Sequence, residues 1–152
     1  MLVRILSVAI ALGAIASLAG CSYNSEEKQR RLDALNSAVA EFDAGSLGDV
    51  ICEASGGEAA FGKGYNHTYV FEGTAAWQAL GERFEALGYD GSNSAPYLFY
   101  SRPDGIAAAG SLVDQPDADP DRAHELEALG CEAPDSPYVV LTFDERSIPS
   151  SD

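Results

Sequence analysis

Tyr138-Val139-Val140-Leu141-Thr142-Phe143 is the strongest β-strand signal in this 152-residue chain. Its residues are mostly β-branched or aromatic, and such residues favour an extended conformation. Successive side chains of a strand point to opposite faces of a sheet, and both alternating sets of this stretch are mostly apolar. We therefore expect protein or a partner to cover both faces of the sheet at this strand.

Other strands and helices are predicted on the N-terminal side of this stretch. Strand patterns occur at residues 67–71, 96–101 and 106–113, and helical spacing of apolar residues occurs at residues 74–87 and 119–129. The Pro-Asp-Gly at residues 103–105 suits a type I turn and indicates a hairpin. From His67 onward the order is β-α-β-β-α-β, the split βαβ or ferredoxin-like order. The sequence therefore predicts an α+β fold in which an antiparallel sheet carries helices.

An N-terminal helix is predicted before these elements, over about residues 25–43. Asn24 and Glu27 have the spacing of a capping box. Apolar residues then recur at helical spacing, namely Leu32, Leu35, Val39 and Phe42. The following segment, residues 45–64, is rich in glycine and predicts a loop with one short strand at residues 50–52. A two-layer fold, with helices on one side of the sheet, would leave the other sheet face exposed to water. We therefore expect the N-terminal helix, or a partner, to cover part of that face.

The first 21 residues have the organisation of a bacterial export signal. Arg4 is followed by an apolar run over residues 5–16 and then by Leu18-Ala19-Gly20-Cys21. This order resembles the signal peptide and lipobox of bacterial lipoproteins, a segment that is processed and is not part of the fold. The resemblance implies cleavage before Cys21, a diacylglyceryl group on its thiol and a further acyl chain, such as palmitate, on its amine. Two acyl chains suffice for stable anchoring in a membrane.

The lipoprotein resemblance also implies a location and a division of the chain. The lipid would hold the protein outside the cytoplasm, in the cell envelope, on the cell membrane or the outer membrane. The expected segments are a signal peptide (residues 1–20), the lipidated cysteine with a short tether (21–25), a single α+β domain (26–146) and a flexible tail (147–152). The alternatives are an ordinary secretory signal and an uncleaved membrane helix, although the apolar run is shorter than the ~20 residues that span a bilayer.

The charge of the chain restricts its partners. The net charge at pH 7 is −15, and removal of residues 1–20 takes away Arg4 and no acidic residue. A strongly negative surface repels nucleic acid and anionic lipid headgroups. We therefore expect no nucleic-acid partner and a membrane contact made by the lipid. A partner in the envelope should be basic or neutral, such as a basic protein or a cationic ligand.

The remaining two cysteines, Cys52 and Cys131, form an even pair. In an oxidising compartment the default for such a pair is a disulfide. The bond would close a loop of about 80 residues, for which the chain-entropy model gives roughly 4.5 kcal/mol of stabilisation. The alternative is two separate buried thiols.

Three groups of residues are candidates for a functional site. The first is a run of four aspartates that could bind a divalent cation weakly or, alternatively, cap a helix N-terminus; it comprises Asp114, Asp117, Asp119 and Asp121. The second is His67 or His124 acting with an acid in a hydrolase, although no hydrolase or zinc motif accompanies either histidine. The third is an aromatic ligand or partner surface comprising Tyr97, Tyr100 and Tyr138.

The sequence favours binding over catalysis. We expect a membrane-anchored extracytoplasmic lipoprotein, without enzymatic activity or a cofactor, that contacts an envelope protein or captures a small or cationic ligand. The alternatives are an envelope-associated hydrolase that uses His67 or His124, and an accessory lipoprotein that binds a divalent metal.

Overall fold

The computed structural model describes residues 25–56 and 64–145. The signal peptide, the lipobox with Cys21 and the C-terminal tail lie outside these residues, so the lipid anchor and the tail stay predictions. The chain divides into two compact units between Asp33 and Ala34. In the described part of the first unit, residues 25–33 are helical, and Glu27 forms ion pairs with Arg30 and Arg31.

The chain forms three α-helices and six strands within the described residues. Helix α1 is described from residue 25 and ends at residue 42, and the other two helices are α2 (Ala75–Ala86) and α3 (Pro120–Ala128). The strands are β1 (Val50–Gly56), β2 (Asn66–Glu72), β3 (Asp90–Ser94), β4 (Tyr97–Ser101), β5 (Ile106–Val113) and β6 (Tyr138–Glu145). None of the described helices is both long enough and apolar enough to cross a membrane.

All six strands form one antiparallel sheet in the order β1-β2-β6-β5-β4-β3. The α+β class and the antiparallel sheet are therefore confirmed. The last strand in the chain, β6, lies in the interior of the sheet between β2 and β5, which explains why it is apolar on both faces. The sequence of a strand that is buried on both faces is a nearly continuous run of apolar residues.

The order of elements differs from the ferredoxin-like prediction in the middle of the chain. From His67 onward the order is β-α-β-β-β-α-β, because the polar segment Asp90–Ser94 forms the additional strand β3. All five residues of β3 are exposed, and the strand pairs only with β4 at the edge of the sheet. An exposed edge strand needs no apolar side chains, so hydrophobic alternation could not reveal it.

The first face of the sheet carries α2 and the part of α1 that follows residue 33. Leu35, Ala38 and Phe42 of α1 are buried in the same core as Trp77 and Phe84 of α2. The Phe42 ring centroid lies 4.9 Å from that of Phe84 and 5.0 Å from that of Phe143 in β6. We expected the N-terminal helix, or a partner, to cover part of the face that the other helices leave open. For the helix this expectation is wrong, since Phe42 packs against the rings of α2 and β6 on the face that α2 also covers.

The second face of the sheet is covered by α3 and the chain that follows it. Leu126 of α3 packs with Val70, Tyr138 and Val140 in a separate, smaller core. Cys131 is buried in this core and forms a disulfide with Cys52 of β1, with Cα atoms 5.8 Å apart. The predicted disulfide is present, and it fastens the end of the α3 segment to the edge of the sheet.

Candidate functional site

Helix α3 covers only part of the second face. It spans nine residues and begins at Pro120, whose missing N–H would have no helical partner in the first turn. The side chain of Asp119 accepts a hydrogen bond from the backbone N–H of Arg122 at 3.1 Å and caps the helix. Leu126 is the only residue of α3 that is fully buried, so the helix packs on the sheet mainly through this side chain.

A cavity of about 510 Å³ lies between α3 and the strands β2 and β6. We call it the α3 groove. Thr68, Val140 and Thr142 line it from the sheet, and the hydroxyl oxygens of the two threonines are hydrogen-bonded at 2.9 Å. Arg122 and Glu125 line it from α3. The volume falls within the roughly 300–1,000 Å³ that is typical of small-molecule sites.

A second depression of about 210 Å³ continues the α3 groove across the sheet. The two share Arg122, Val140 and Thr142, and the second extends over β5 and β4 to Tyr97. The Tyr97 residue is 65% exposed and its same-face neighbour Phe99 is 41% exposed. A ligand could therefore contact apolar sheet surface, hydroxyl groups and an exposed aromatic ring along one continuous surface.

Acidic residues dominate the electrostatics of the α3 groove. Its one Arg, Arg122, forms an ion pair with Glu125 at 2.5 Å, so this positive charge is compensated within the protein. Asp121 adds a second carboxylate to the same wall, which His124 also lines. The groove thus keeps excess negative charge at its rim, in agreement with the net charge of −15 for the chain.

The structure separates the three tyrosines that were predicted to form one surface. Tyr97 is exposed beside the α3 groove, whereas Tyr100 and Tyr138 are 3% and 1% exposed, so their assignment to a surface is wrong. Tyr100 stacks on Phe84 in the first core, with centroids 4.8 Å apart, and Tyr138 belongs to the second core. Burial raises the pKa of both phenols. Tyr97 and Tyr100 are three positions apart, and this odd offset already places them on opposite faces of a strand.

The four aspartates are not assembled into a metal site. Within residues 25–56 and 64–145, no three His, Cys, Asp or Glu side chains come close enough together to hold a metal ion. Asp119 is the N-cap of α3 instead, as the alternative interpretation of the acidic run predicted. The structure therefore gives no support to the divalent-metal alternative.

The two histidines have different surroundings. His124 is exposed on α3, with Nδ1 3.4 Å from a carboxylate oxygen of Glu127. His67 is nearly buried on the first face, with Nδ1 2.9 Å from Oγ of Ser55 and Nε2 2.9 Å from Oε1 of Glu53. The sequence interpretation missed Ser55 and Glu53, because it ended the short strand at residue 52. Extension of that strand to Gly56 would have placed both on one face.

No protein-family model matches the sequence, and no curated protein or solved structure matches the chain. The function of the protein must therefore be inferred from its own residues and from their arrangement.

Proposed function

We propose that this protein is a membrane-anchored extracytoplasmic lipoprotein that binds a small organic cation in the α3 groove. The lipobox supports the anchor and the location. The observation that carries the binding role is the groove itself, a cavity of about 510 Å³ beside an exposed aromatic residue on a sheet face that α3 covers only in part. Concave sites of this size, lined by apolar side chains and a few polar groups, are typical of small-molecule binding.

The charge of the ligand follows from the charges of the α3 groove. Arg122 is paired with Glu125, while Asp121 adds a further negative charge to the wall. Acidic clefts attract cations and raise their local concentration. The apolar part of such a ligand would contact Leu129 and Val140, which line the groove.

Tyr97 supports the same ligand class. An exposed tyrosine ring attracts a cation through its π-electron face, and this interaction contributes roughly 0.5–1 kcal/mol at exposed sites. Since Tyr97 lines the depression that shares Arg122, Val140 and Thr142 with the α3 groove, a cation bound there would lie near both the ring and the acidic wall.

Isothermal titration of the mature lipidated protein in detergent tests the ligand class. The probes are benzyltrimethylammonium and hexyltrimethylammonium, compared with the neutral analogue neopentylbenzene and with hexanoate. We expect the ammonium probes to bind and the others to bind at least tenfold more weakly. Asp121→Asn and Tyr97→Ala should each weaken binding, whereas Glu132→Gln, which alters an exposed acid outside the groove, should not. Equal affinity for all probes, or none for the ammonium probes, contradicts the proposal.

The anchor is tested separately by metabolic labelling with an alkyne analogue of palmitate. The wild-type protein should incorporate the label and fractionate with membranes, and Cys21→Ser should do neither. Labelling that persists in Cys21→Ser would disprove lipidation at this residue. If the anchor is present but no cation binds, crosslinking in native envelopes decides whether the groove serves an envelope protein instead.

A further inference from the structure

Three side chains on the first face form a nucleophile–base–acid series that lies outside the α3 groove. The Oγ of Ser55 and the Nδ1 of His67 are 2.9 Å apart, and the Nε2 of His67 lies 2.9 Å from Oε1 of Glu53. We propose that Ser55, His67 and Glu53 form a serine-hydrolase site that cleaves carboxylic esters. This activity does not depend on the binding role of the α3 groove, and it departs from the expectation that the protein is not an enzyme.

The sheet register brings these three residues together. Ser55 lies directly opposite His67 in the β1–β2 pair, and Glu53 is opposite the next residue on the same face, Tyr69. Cross-strand neighbours in an antiparallel pair have Cβ atoms about 4.5–5.5 Å apart, and diagonal neighbours remain within reach of long side chains. The imidazole ring thus bridges a hydroxyl on one side and a carboxylate on the other.

The three side chains differ in burial, since the imidazole of His67 is nearly buried whereas Ser55 and Glu53 are exposed. The residue His67 is 8% exposed and its ring lies 4.7 Å from that of Tyr69, which restricts its orientation. Ser55 is exposed on the edge strand β1, so its hydroxyl is accessible to a substrate. A hydroxyl within hydrogen-bond distance of an imidazole is the arrangement by which a base activates a serine.

The contact of Glu53 with His67 is close but not aligned as a hydrogen bond. The two atoms are 2.9 Å apart, yet the N–H direction departs from the line to the carboxylate oxygen. Such contacts often tighten only when substrate is bound. As the imidazole gains a proton, the carboxylate of Glu53 stabilises its positive charge. The interaction between Glu53 and His67 therefore becomes stronger when Ser55 loses its proton.

A depression of about 440 Å³ beside this cluster provides space for a substrate. It lies between the end of α1 and β1, and Glu53 and Tyr69 line it together with Val39 and Val50. Ser55 follows Glu53 by two residues on the same face, or about 7 Å along the strand. Neither Ser55 nor His67 lines the depression, so an ester with its acyl chain there must extend past Glu53 to bring its carbonyl group to Ser55. The acidic protein surface favours neutral or cationic esters over anionic ones.

The reaction uses water as its second substrate. Ser55 Oγ bonds to the carbonyl carbon while its proton passes to Nδ1 of His67. The tetrahedral intermediate expels the alcohol, which takes that proton, and leaves an acyl group on Ser55. Water then attacks the acyl carbon and gives a proton to His67, and the bond to Ser55 Oγ breaks as the serine regains that proton. The products are an alcohol and a carboxylic acid.

Ester hydrolysis and active-site labelling test this proposal on the full mature protein in detergent. p-Nitrophenyl butyrate serves as substrate, and a fluorophosphonate serves as a covalent probe whose attachment site is located by mass spectrometry. We expect turnover above the buffer rate and a single adduct at Ser55. Ser55→Ala and His67→Gln should each lower the rate at least about 100-fold, because a positioned general base contributes roughly 10²–10⁴-fold.

Ser92→Ala is the matched control, since Ser92 is an exposed serine on the opposite edge strand β3. It should retain the wild-type rate and the adduct at Ser55. Circular dichroism verifies that each variant is folded. If His67→Gln fails to fold, the comparison of Ser55→Ala with the wild-type protein decides the test. Absence of turnover and of an adduct at Ser55 in the wild-type protein overturns the proposal. Hydrolysis that survives Ser55→Ala, or equal labelling of Ser92, overturns it as well.

Discussion

Cys52 and Cys131 are joined by a disulfide although 79 positions separate them in the sequence. This bond connects the edge strand β1 to the segment directly after α3. Cys52 immediately precedes Glu53 of the serine cluster, and Cys131 follows the helix that forms one wall of the α3 groove. The disulfide therefore joins a segment beside one candidate site to a segment beside the other, and the two sites lie on opposite faces of the sheet.

Removal of the disulfide should destabilise the protein substantially. We expect the double variant Cys52→Ala/Cys131→Ala to lose about 2–4 kcal/mol in the free energy of unfolding, because the bond closes a long loop in the unfolded chain. Urea unfolding followed by the fluorescence of Trp77, the single tryptophan, measures the change. Reduced wild-type protein is the control and should match the variant. A loss below about 0.5 kcal/mol would show that the bond contributes little.

Leu126 should anchor α3 to the sheet. The residue is 1% exposed in the second core, whereas Leu129 is only partly buried. We expect Leu126→Ala to lower the free energy of unfolding by about 2–5 kcal/mol, the range for a buried Leu→Ala change. Leu129→Ala should cost clearly less. Hydrogen exchange should show faster opening of α3 in the first variant. Similar losses in the two variants would contradict the anchoring role.

Gly91 of β3 should not tolerate a side chain. A Cβ at this position would lie 2.6 Å from Cα of Tyr100 and also too close to the carbonyl oxygen of Phe99, and neither backbone atom can move away freely. We expect Gly91→Ala to cost about 1–3 kcal/mol, as other overpacking changes do. Gly45→Ala is the control, because its Cβ would meet no atom within 4 Å. Equal stabilities of the two variants in urea would refute this steric account.

Tyr89 should make the protein less stable at alkaline pH. Burial raises its pKa to about 12, from about 10 in the unfolded chain, so the unfolded state ionises first. The stability that Tyr89 contributes is present below pH 10 and is lost as the pH rises through 12. We expect Tyr89→Phe to reduce this loss, and Tyr97→Phe, an exposed control, to leave it unchanged. Urea unfolding at a series of pH values from 8 to 11.5 gives the slopes. Identical slopes for Tyr89→Phe and wild type would contradict the assignment.

Arg102 should connect α1 to the sheet through charge and stacking. It is mostly buried, forms ion pairs with Glu41 of α1 and with Asp104 at 2.8 Å each, and lies 4.8 Å from the ring centroid of Tyr89. We expect Arg102→Met to cost about 1–3 kcal/mol, since hydrogen bonds to charged groups contribute in this range. Arg83→Met, which removes an exposed contact with Ser46, is the control and should cost less. A thermal melt ranks the two, and the reverse ranking would reject this role.

The parts of the fold that were predicted from the sequence are those set by local patterns. The helical spacing that ends at Phe42 predicted α1, and the Asp119-Pro120 pair predicted the start of α3. The remaining cysteine pair predicted the disulfide, because only two cysteines were left to combine. Each of these inferences needs only residues that are neighbours in the sequence or the number of cysteines, and each agrees with the structure.

The candidate sites depended on contacts between distant segments, which these patterns do not contain. Ser55 and His67 are separated by eleven residues and meet through the register of β1 against β2. The burial of Tyr100 depends on Phe84 of α2, and the openness around Tyr97 depends on how little of the second face α3 covers. These features follow from the pairing of whole strands and from the placement of helices.

The amino-acid sequence alone was enough to establish the α+β class and to predict that both faces of residues 138–143 are covered, because hydrophobic alternation reports how many faces of an element are buried. It could not establish that α1 shares a face with α2, that the polar residues 90–94 form an edge strand, or that His67 lies between Ser55 and Glu53. An exposed edge strand has no hydrophobic signal, and an apolar helix face fits either side of a sheet. Tertiary packing determines which face each helix covers. The rings of Phe42, Phe84 and Phe143 fill one core together, and the disulfide holds α3 on the other face.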